Sequence, residues 1–141
     1  MKNLFHLLMM LLMFSACAQK KDEHKMTLNE QQIKNNMDTT QLNETVKRAF
    51  EAWQNGDAES FTSFFTADAK LYDDGNPRDF KKFVKEACGH EKFMSIDKVE
   101  NNGRDIYGPF HTESWGDFKT YFKFHLNNEG KFDKLEIGQA D

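Results

Sequence analysis

The sequence predicts an α+β domain in which three helices pack on one face of a curved antiparallel sheet. Apolar residues recur at helical spacing in the first half of the domain, and the spacing changes to two after Gly89. The clearest alternation is the run DFKTYFKFHL, which the turn NNEG and a last apolar strand follow. Helices that precede a run of neighbouring strands are typical of this class.

Three apolar stripes predict the helices. The first stripe runs from Leu42 to Trp53, in a helix that Thr39 or Thr40 would cap and Gly56 would end. Asp57 is placed to cap a second, shorter helix. Its inward residues would be Ala58, Phe61, Phe64 and Phe65. A third helix is expected from about Asp79 to Gly89, with a complete apolar stripe of Phe80, Phe83, Val84, Ala87 and Cys88.

The strands are predicted from alternation and turn chemistry. A short strand over 69–72 leads into DDGNP, which is dense in turn-forming residues. A second is expected over 94–99, and RDIYGPF is a candidate for another. In the long strand, one face carries Phe118, Thr120, Phe122, Phe124 and Leu126, and the other carries Lys119, Tyr121, Lys123 and His125.

Composition limits the function classes. The chain has a net charge of −4, and without residues 1–16 it has 18 bases against 23 acids. A mildly acidic chain with no basic block is a poor nucleic-acid binder, so we expect no nucleic-acid partner. Its 14 phenylalanines lie mostly after residue 49, which is enough apolar material for one core but too little chain for two domains.

The first 17 residues resemble a bacterial lipoprotein signal. Lys2 precedes an apolar run over 4–14, which is shorter than the ~20 residues of a membrane span. Ser15 and Ala16 then lead to Cys17. The resemblance implies cleavage before Cys17, lipidation of its sulfur and anchoring in the bacterial cell envelope, periplasmic or surface-facing at the outer membrane. Ordinary secretory cleavage near SACAQ is the alternative.

Residues 17–40 are predicted to be a lipid-anchored tether, and residues 41–141 the folded domain. The tether is polar with balanced charges and no aromatic residue, so it cannot bury enough apolar surface to order itself. Its AQKKDE run resembles an export tag of surface lipoproteins, or is a solvated linker. If Cys17 is lipidated, Cys88 is the one free thiol that remains. It falls on an apolar stripe, which predicts that it is buried.

The stretch VKRAFEAWQNGDAESFTSFFTADAKLYDDG resembles the start of the NTF2-like superfamily, and within it the SnoaL-like group. YFKFHLNNEGKFDKLEIG is similar to the long terminal hairpin of that family. The resemblance spans residues 41–141 and implies a cystatin-like cone, in which a bent sheet wraps the helices and leaves a pocket at the wide end. It says little about function, because the family includes isomerases, dehydratases, cyclases and ligand binders.

Asp73 and Asp74 have two interpretations. The resemblance to ketosteroid-isomerase-like members implies a general-base Asp at the end of the first strand, which falls on Asp73. The oxyanion donors of those members fall on Ala49 and Phe122, whose side chains cannot donate a hydrogen bond. The other interpretation is a turn, since Asp and Asn satisfy turn amides and Gly permits positive φ.

We expect neither a metal nor another cofactor. DDGN lacks the alternate oxygens and the distal Glu of a calcium loop. The histidines at 90, 111 and 125 have no metal-ligand spacing, and His125 falls on the outward face of its strand.

The sequence favours binding over catalysis. We expect a membrane-tethered module that binds a small apolar ligand or a partner in an aromatic pocket. The candidate pocket residues are Trp53, Tyr72, Tyr107, Trp115, Phe118, Phe122 and Phe124. The alternative is a SnoaL-like dehydratase, cyclase or isomerase that uses Asp73 as general base. A third hypothesis is a weak homodimer through the outward face of the long strand, which is charged.

Overall fold

The computed structural model describes residues 37–141. The predicted signal peptide, Cys17 and most of the tether lie outside the described residues. Within the described range, no helix is both long and apolar enough to span a membrane.

Residues 37–141 contain three helices, as predicted, and two strands lie between the second helix and the third. They are α1 (Glu44–Gln54), α2 (Ala58–Ser63) and α3 (Phe80–Ala87). Asn43 caps α1 by accepting from the backbone N–H of Thr45 at 3.0 Å, so the predicted threonine caps at 39 and 40 were wrong. The reason lies in the backbone, because Asn43 N donates to Gly103 O at 3.0 Å and this bond fixes where the helix begins.

The two helix-ending glycines lie against each other. Gly56 and Gly89 both have positive φ, 73° and 93°, which glycine adopts without steric cost. A Cβ built on Gly56 would lie 3.0 Å from the Cα of Gly89. The NGD turn that joins α1 to α2 therefore packs directly on the end of α3.

Seven strands of residues 37–141 form one curved sheet. In chain order they are β1 (Phe65–Asp73), β2 (Asn76–Arg78), β3 (Glu91–Phe93), β4 (Lys98–Glu100), β5 (Asp105–Thr112), β6 (Gly116–Leu126) and β7 (Phe132–Gln139). Their spatial order is β2-β1-β7-β6-β5-β3, with β4 also paired to β5. The α+β fold class is confirmed.

One strand pair differs from the predicted antiparallel arrangement. β1 runs parallel to β7, with Phe65 beside Phe132 and Asp73 beside Ile137. This pairing explains why β1 begins at Phe65 and not at residue 69. Phe132 N donates to Phe64 O at 2.9 Å, so β7 draws the end of the predicted second helix into the sheet.

The strand predicted over 94–99 is divided into β3 and β4. The loop between them crosses β5 at Gly108, where a Cβ would lie 2.2 Å from Ser95 O. Met94 N and Asp97 N donate to β5 carbonyls at 2.8 Å on either side of this crossing. The bare backbone of Gly108 thus lets the loop close over the sheet.

The core is aromatic and lies between the helices and the concave side of the sheet. Trp53 is 1% exposed and packs against Phe61, Phe83 and Phe122 at ring-centroid distances of 5.0, 5.5 and 5.3 Å. Cys88 is buried at the edge of this core, as predicted.

Candidate functional site

A cavity of about 420 Å³ opens at one end of the sheet, between α3 and the concave faces of β5, β6 and β7. Its size lies in the range of small-molecule sites, about 300–1,000 Å³. The wall is more polar than apolar. The lining residues are Asp73, Asp74, Arg78, Phe83, Glu86, Ala87, Glu91, Phe110, Thr112, Ser114, Trp115, Phe118, Thr120, Phe122, Ile137, Gly138 and Gln139.

The floor of the cavity is aromatic because β5 and β6 turn alternate residues inward. Phe110 lies 6.3 Å from Phe118 and 5.6 Å from Phe122, ring centroid to ring centroid. Phe83 reaches the same space from α3. This part of the wall offers contact to an apolar ligand but no hydrogen bond.

The two aspartates take part both in a turn and in the cavity wall. Asp74 and Gly75 form the two-residue hairpin loop between β1 and β2, with φ values of 47° and 81°. Positive φ at both loop residues is the requirement of a type I′ turn, which Asp-Gly meets. The same hairpin brings Arg78 back beside Asp73.

Asp73 forms an ion pair with Arg78. The Arg78 Nη1 donates to Asp73 Oδ2 at 2.5 Å, and both side chains are partly exposed. The Arg78 guanidinium also lies over the Phe83 ring, 5.1 Å from its centroid. Arg78 is therefore held by a carboxylate and by an aromatic face, and it closes one side of the cavity mouth.

Asp74 is engaged by the backbone of β7. Its Oδ1 accepts from Gln139 N at 2.9 Å, and its own N–H donates to Ile137 O at 2.9 Å. The absence of a side chain at Gly138 makes room for this carboxylate, since a Cβ there would lie 2.2 Å from Asp74 Oδ1. Asp74 thus fastens the β1–β2 turn to the last strand.

Glu91 lies at the start of β3, across the mouth from the hairpin. Burial raises the pKa of its carboxyl above the ordinary value; the nearby Arg78 opposes this rise, and the nearby Asp73 adds to it. Within residues 37–141, the Glu91 carboxylate has no hydrogen bond and no ion pair. It is a half-buried acid that faces the cavity without a donor.

Trp115 stands at the rim on the β5–β6 turn, with 82% of its surface exposed. The turn beneath it is ordered by Thr112, whose Oγ1 accepts from Trp115 N at 2.9 Å and donates to Gly116 O at 3.1 Å. A rigid turn thus presents a large aromatic side chain to solvent beside the cavity mouth.

The structure brings together only part of the predicted site. Asp73, Trp115, Phe118 and Phe122 line the cavity. Trp53 and Phe124 are buried in the core, 1% exposed each, and do not line it. Trp53 lies on α1 and packs against Phe83 and Phe122. Phe124 follows the same inward alternation as Phe122, but it packs against Phe65 and Phe132.

The two predicted tyrosines lie elsewhere. Tyr72 borders a shallow groove of about 280 Å³ between β1 and the start of α3. Tyr107 lies on the outer face of the sheet, 6.2 Å from Tyr121, with Lys98 over its ring at 4.3 Å. This outer face is the one proposed for a homodimer, which stays a prediction.

Sequence reasoning missed Arg78, Glu86 and Glu91. Arg78 could have been found, because a two-residue loop at Asp74-Gly75 fixes the register that pairs Leu71 with Arg78. No local signal marks Glu91, since it reaches the mouth only through the antiparallel pairing of β3 with β5. Glu86 is on the exposed face of α3, where an acid is common.

The two positions that the sequence resemblance implies for oxyanion donors carry no donor side chain. The positions where such donors would lie hold Ala49 and Phe122, both buried and apolar. Thr120 reaches the cavity, but its hydroxyl donates to Gly138 O at 2.6 Å. Among residues 37–141, no group of three His, Cys, Asp or Glu side chains could hold a metal ion.

Comparisons with known proteins show the fold. No family model and no curated protein matches the chain. An NTF2-like protein of unknown function from Cytophaga hutchinsonii is 12% identical, with a TM-score of 0.56 over 72% of this chain and 93% of that one. A proposed polyketide cyclase from Sinorhizobium meliloti is 16% identical, with a TM-score of 0.58 over 70% and 97%.

A larger protein contains the same fold. The orange carotenoid protein of Anabaena, which binds canthaxanthin, is 19% identical, with a TM-score of 0.53 over 67% of this chain. The match covers 35% of that protein, so the chain spans only about a third of its length. At these identities the likeness extends to the path of the backbone and no further.

Proposed function

We propose that this chain, which has the NTF2-like fold, binds a small molecule with its apolar body on the aromatic floor of the cavity and a polar group at the mouth. The observation that carries the proposal is the cavity itself, whose volume of about 420 Å³ suits a small ligand. The carotenoid bound by the orange carotenoid protein supports the idea that this fold accommodates apolar molecules.

The proposal can be tested by titrating the purified chain with phenylnaphthylamine, a neutral apolar dye that fluoresces when it leaves water. Saturable binding is expected. Phe118→Ala should weaken it several-fold, because Phe118 lines the floor and lost apolar contact lowers affinity tenfold for each ~1.4 kcal/mol.

The matched control is Phe64→Ala. Phe64 is also a partly buried phenylalanine that packs on the core, but it lies outside the cavity. If the dye does not saturate, or if both variants weaken it equally, the cavity is not the binding site.

Catalysis by Asp73 is the less supported function. A general base must accept a proton from the substrate, but Asp73 Oδ2 already accepts a hydrogen bond from Arg78. The proposed polyketide cyclase shares the fold, which by itself does not transfer an activity. The structure offers Asp73 no oxyanion donor from positions 49 and 122, so binding without turnover is the better-supported function.

The second part of the proposal is that the chain is exported and anchored in the bacterial cell envelope through a lipid on Cys17. It is supported by the apolar run over 4–14 and the Ser-Ala-Cys that follows it. In a bacterial host fed an alkyne fatty acid, the wild type and Cys88→Ser should carry the label and Cys17→Ser should not. Label on Cys17→Ser, or none on the wild type, would contradict lipidation.

A further inference from the structure

We infer that the cavity selects a ligand whose polar group is a protonated amine, with the Glu91 carboxylate as its counter-ion and the Trp115 ring as its aromatic contact. This inference rests on the proposed binding function and names the chemical class of the ligand. It follows from the charges of the wall, from the lack of a donor to Glu91 and from the position of Trp115.

The wall of the cavity has one cation against four carboxylates. The cation is Arg78, and the acids are Asp73, Asp74, Glu86 and Glu91. Arg78 is already engaged, since it pairs with Asp73 and lies over Phe83. Among the residues that line the cavity, neither a lysine nor a histidine is present to receive an anionic group. An anionic ligand would therefore meet net repulsion, and a cation would meet net attraction.

The carboxylates differ in what they already bind. Asp73 accepts from Arg78, and Asp74 accepts from the backbone N–H of Gln139. Glu86 is exposed on α3, where solvent satisfies it. Glu91 is half-buried and receives no donor from residues 37–141. A partly desolvated carboxylate without a donor is costly, and an ammonium group on the ligand would remove that cost.

Trp115 completes the site beside Glu91, because Glu91 pairs with Thr112 and the Thr112 Oγ1 accepts from Trp115 N at 2.9 Å. An ammonium group within about 6 Å of an indole ring gains a cation–π attraction, and indole is the best of the aromatic side chains for this. The aromatic floor lies below, at Phe110, Phe118 and Phe122. A ligand that sets its apolar body on this floor brings a terminal amine to the level of Glu91 and Trp115.

The test compares three ligands with one apolar body: adamantanemethylamine, adamantanemethanol and adamantanecarboxylate. Binding to the purified chain is followed by calorimetry and by tryptophan emission. The other tryptophan, Trp53, is 1% exposed, so a blue shift on binding reports Trp115. We expect the amine to bind about tenfold or more tightly than the alcohol, and the carboxylate to bind weakest.

Glu91→Gln should abolish the preference for the amine over the alcohol. The control is Glu113→Gln. Glu113 is an acid near the mouth, but it does not line the cavity, and it pairs with His90 at 3.1 Å. It should leave the preference for the amine intact.

The outcomes separate the two proposals. If the alcohol binds saturably but the amine shows no preference, or if Glu91→Gln keeps that preference, the inference is wrong and the binding function stands. If none of the three ligands binds, the cavity is not a small-molecule site and both proposals fail.

Discussion

Two hydrogen bonds join Gln54, the last residue of α1, to Phe93 in the edge strand β3. The Gln54 Nε2 donates to Phe93 O at 2.9 Å, and Gln54 Oε1 accepts from Phe93 N at 2.9 Å. One side-chain amide thus takes the place of a neighbouring strand. Because Glu91 lies two residues before Phe93, this contact also sets the position of the cavity mouth.

Gln54→Ala should lower the free energy of unfolding by about 1–3 kcal/mol, because it leaves both polar groups of Phe93 without partners. Gln41→Ala, which removes an exposed glutamine side chain before α1, should change stability by less than about 0.5 kcal/mol. Urea denaturation measures both. Equal effects would mean that the bond to β3 contributes nothing.

Gly108→Ala should be more destabilising than Gly138→Ala. A Cβ on Gly108 would lie 2.2 Å from Ser95 O, a backbone atom that cannot rotate away. On Gly138 the obstacles are side-chain atoms, Asp74 Oδ1 at 2.2 Å and the Tyr121 hydroxyl at 2.6 Å, which can shift. We expect losses of about 3 kcal/mol and about 1–2 kcal/mol from such overpacking. Thermal unfolding of the two variants measures both losses. A larger loss for Gly138→Ala would show that the loop over Gly108 can move away.

Glu91→Gln should stabilise the protein at neutral and alkaline pH. Burial raises the pKa of Glu91 in the folded state, so the folded chain holds this proton more tightly than the unfolded chain does. The protonated Glu91 therefore contributes to stability at low pH. This contribution is lost as the pH rises from the ordinary pKa of a glutamate through the raised pKa of Glu91. The groups that act on Glu91 are Arg78, Asp73 and His90, and the substitution keeps all three.

The measurement is the melting temperature against pH, for the wild type and for Glu91→Gln. The variant should melt at a higher temperature when the pH is above the raised pKa of Glu91, and the difference should vanish at about pH 4, where both side chains are neutral. A constant difference at every pH would show that the effect comes from packing and not from the proton.

Trp53→Ala should cost roughly 3–5 kcal/mol, because Trp53 is the largest fully buried side chain of the aromatic core. Trp53→Phe should cost much less. It keeps the ring contacts and removes an indole N–H that is buried without a hydrogen-bond partner among residues 37–141. The comparison variant is Trp115→Phe, at an exposed position, and urea denaturation should show almost no change. A similar loss for both Trp53 variants would show that the cost comes from the part of the indole that phenylalanine does not replace.

The sequence determined what depends on neighbours along the chain. Helical stripes, the Asp57 cap, the two helix-ending glycines and the alternation of the long strand all have local causes, and the α+β class followed from them. The Asp-Gly turn was also local, since only residues that tolerate positive φ form that loop.

Tertiary structure decided the rest. The parallel pairing of β1 with β7 moved Phe65 from a helix into a strand. Neighbouring aromatic rings enclose Trp53 and Phe124 in the core, whereas Phe118 and Phe122 line the cavity. Glu91 joined Asp73 and Arg78 only because β3 pairs with β5. Periodicity tells which side of a strand faces inward, but contacts between distant segments decide whether that side meets a core or an opening.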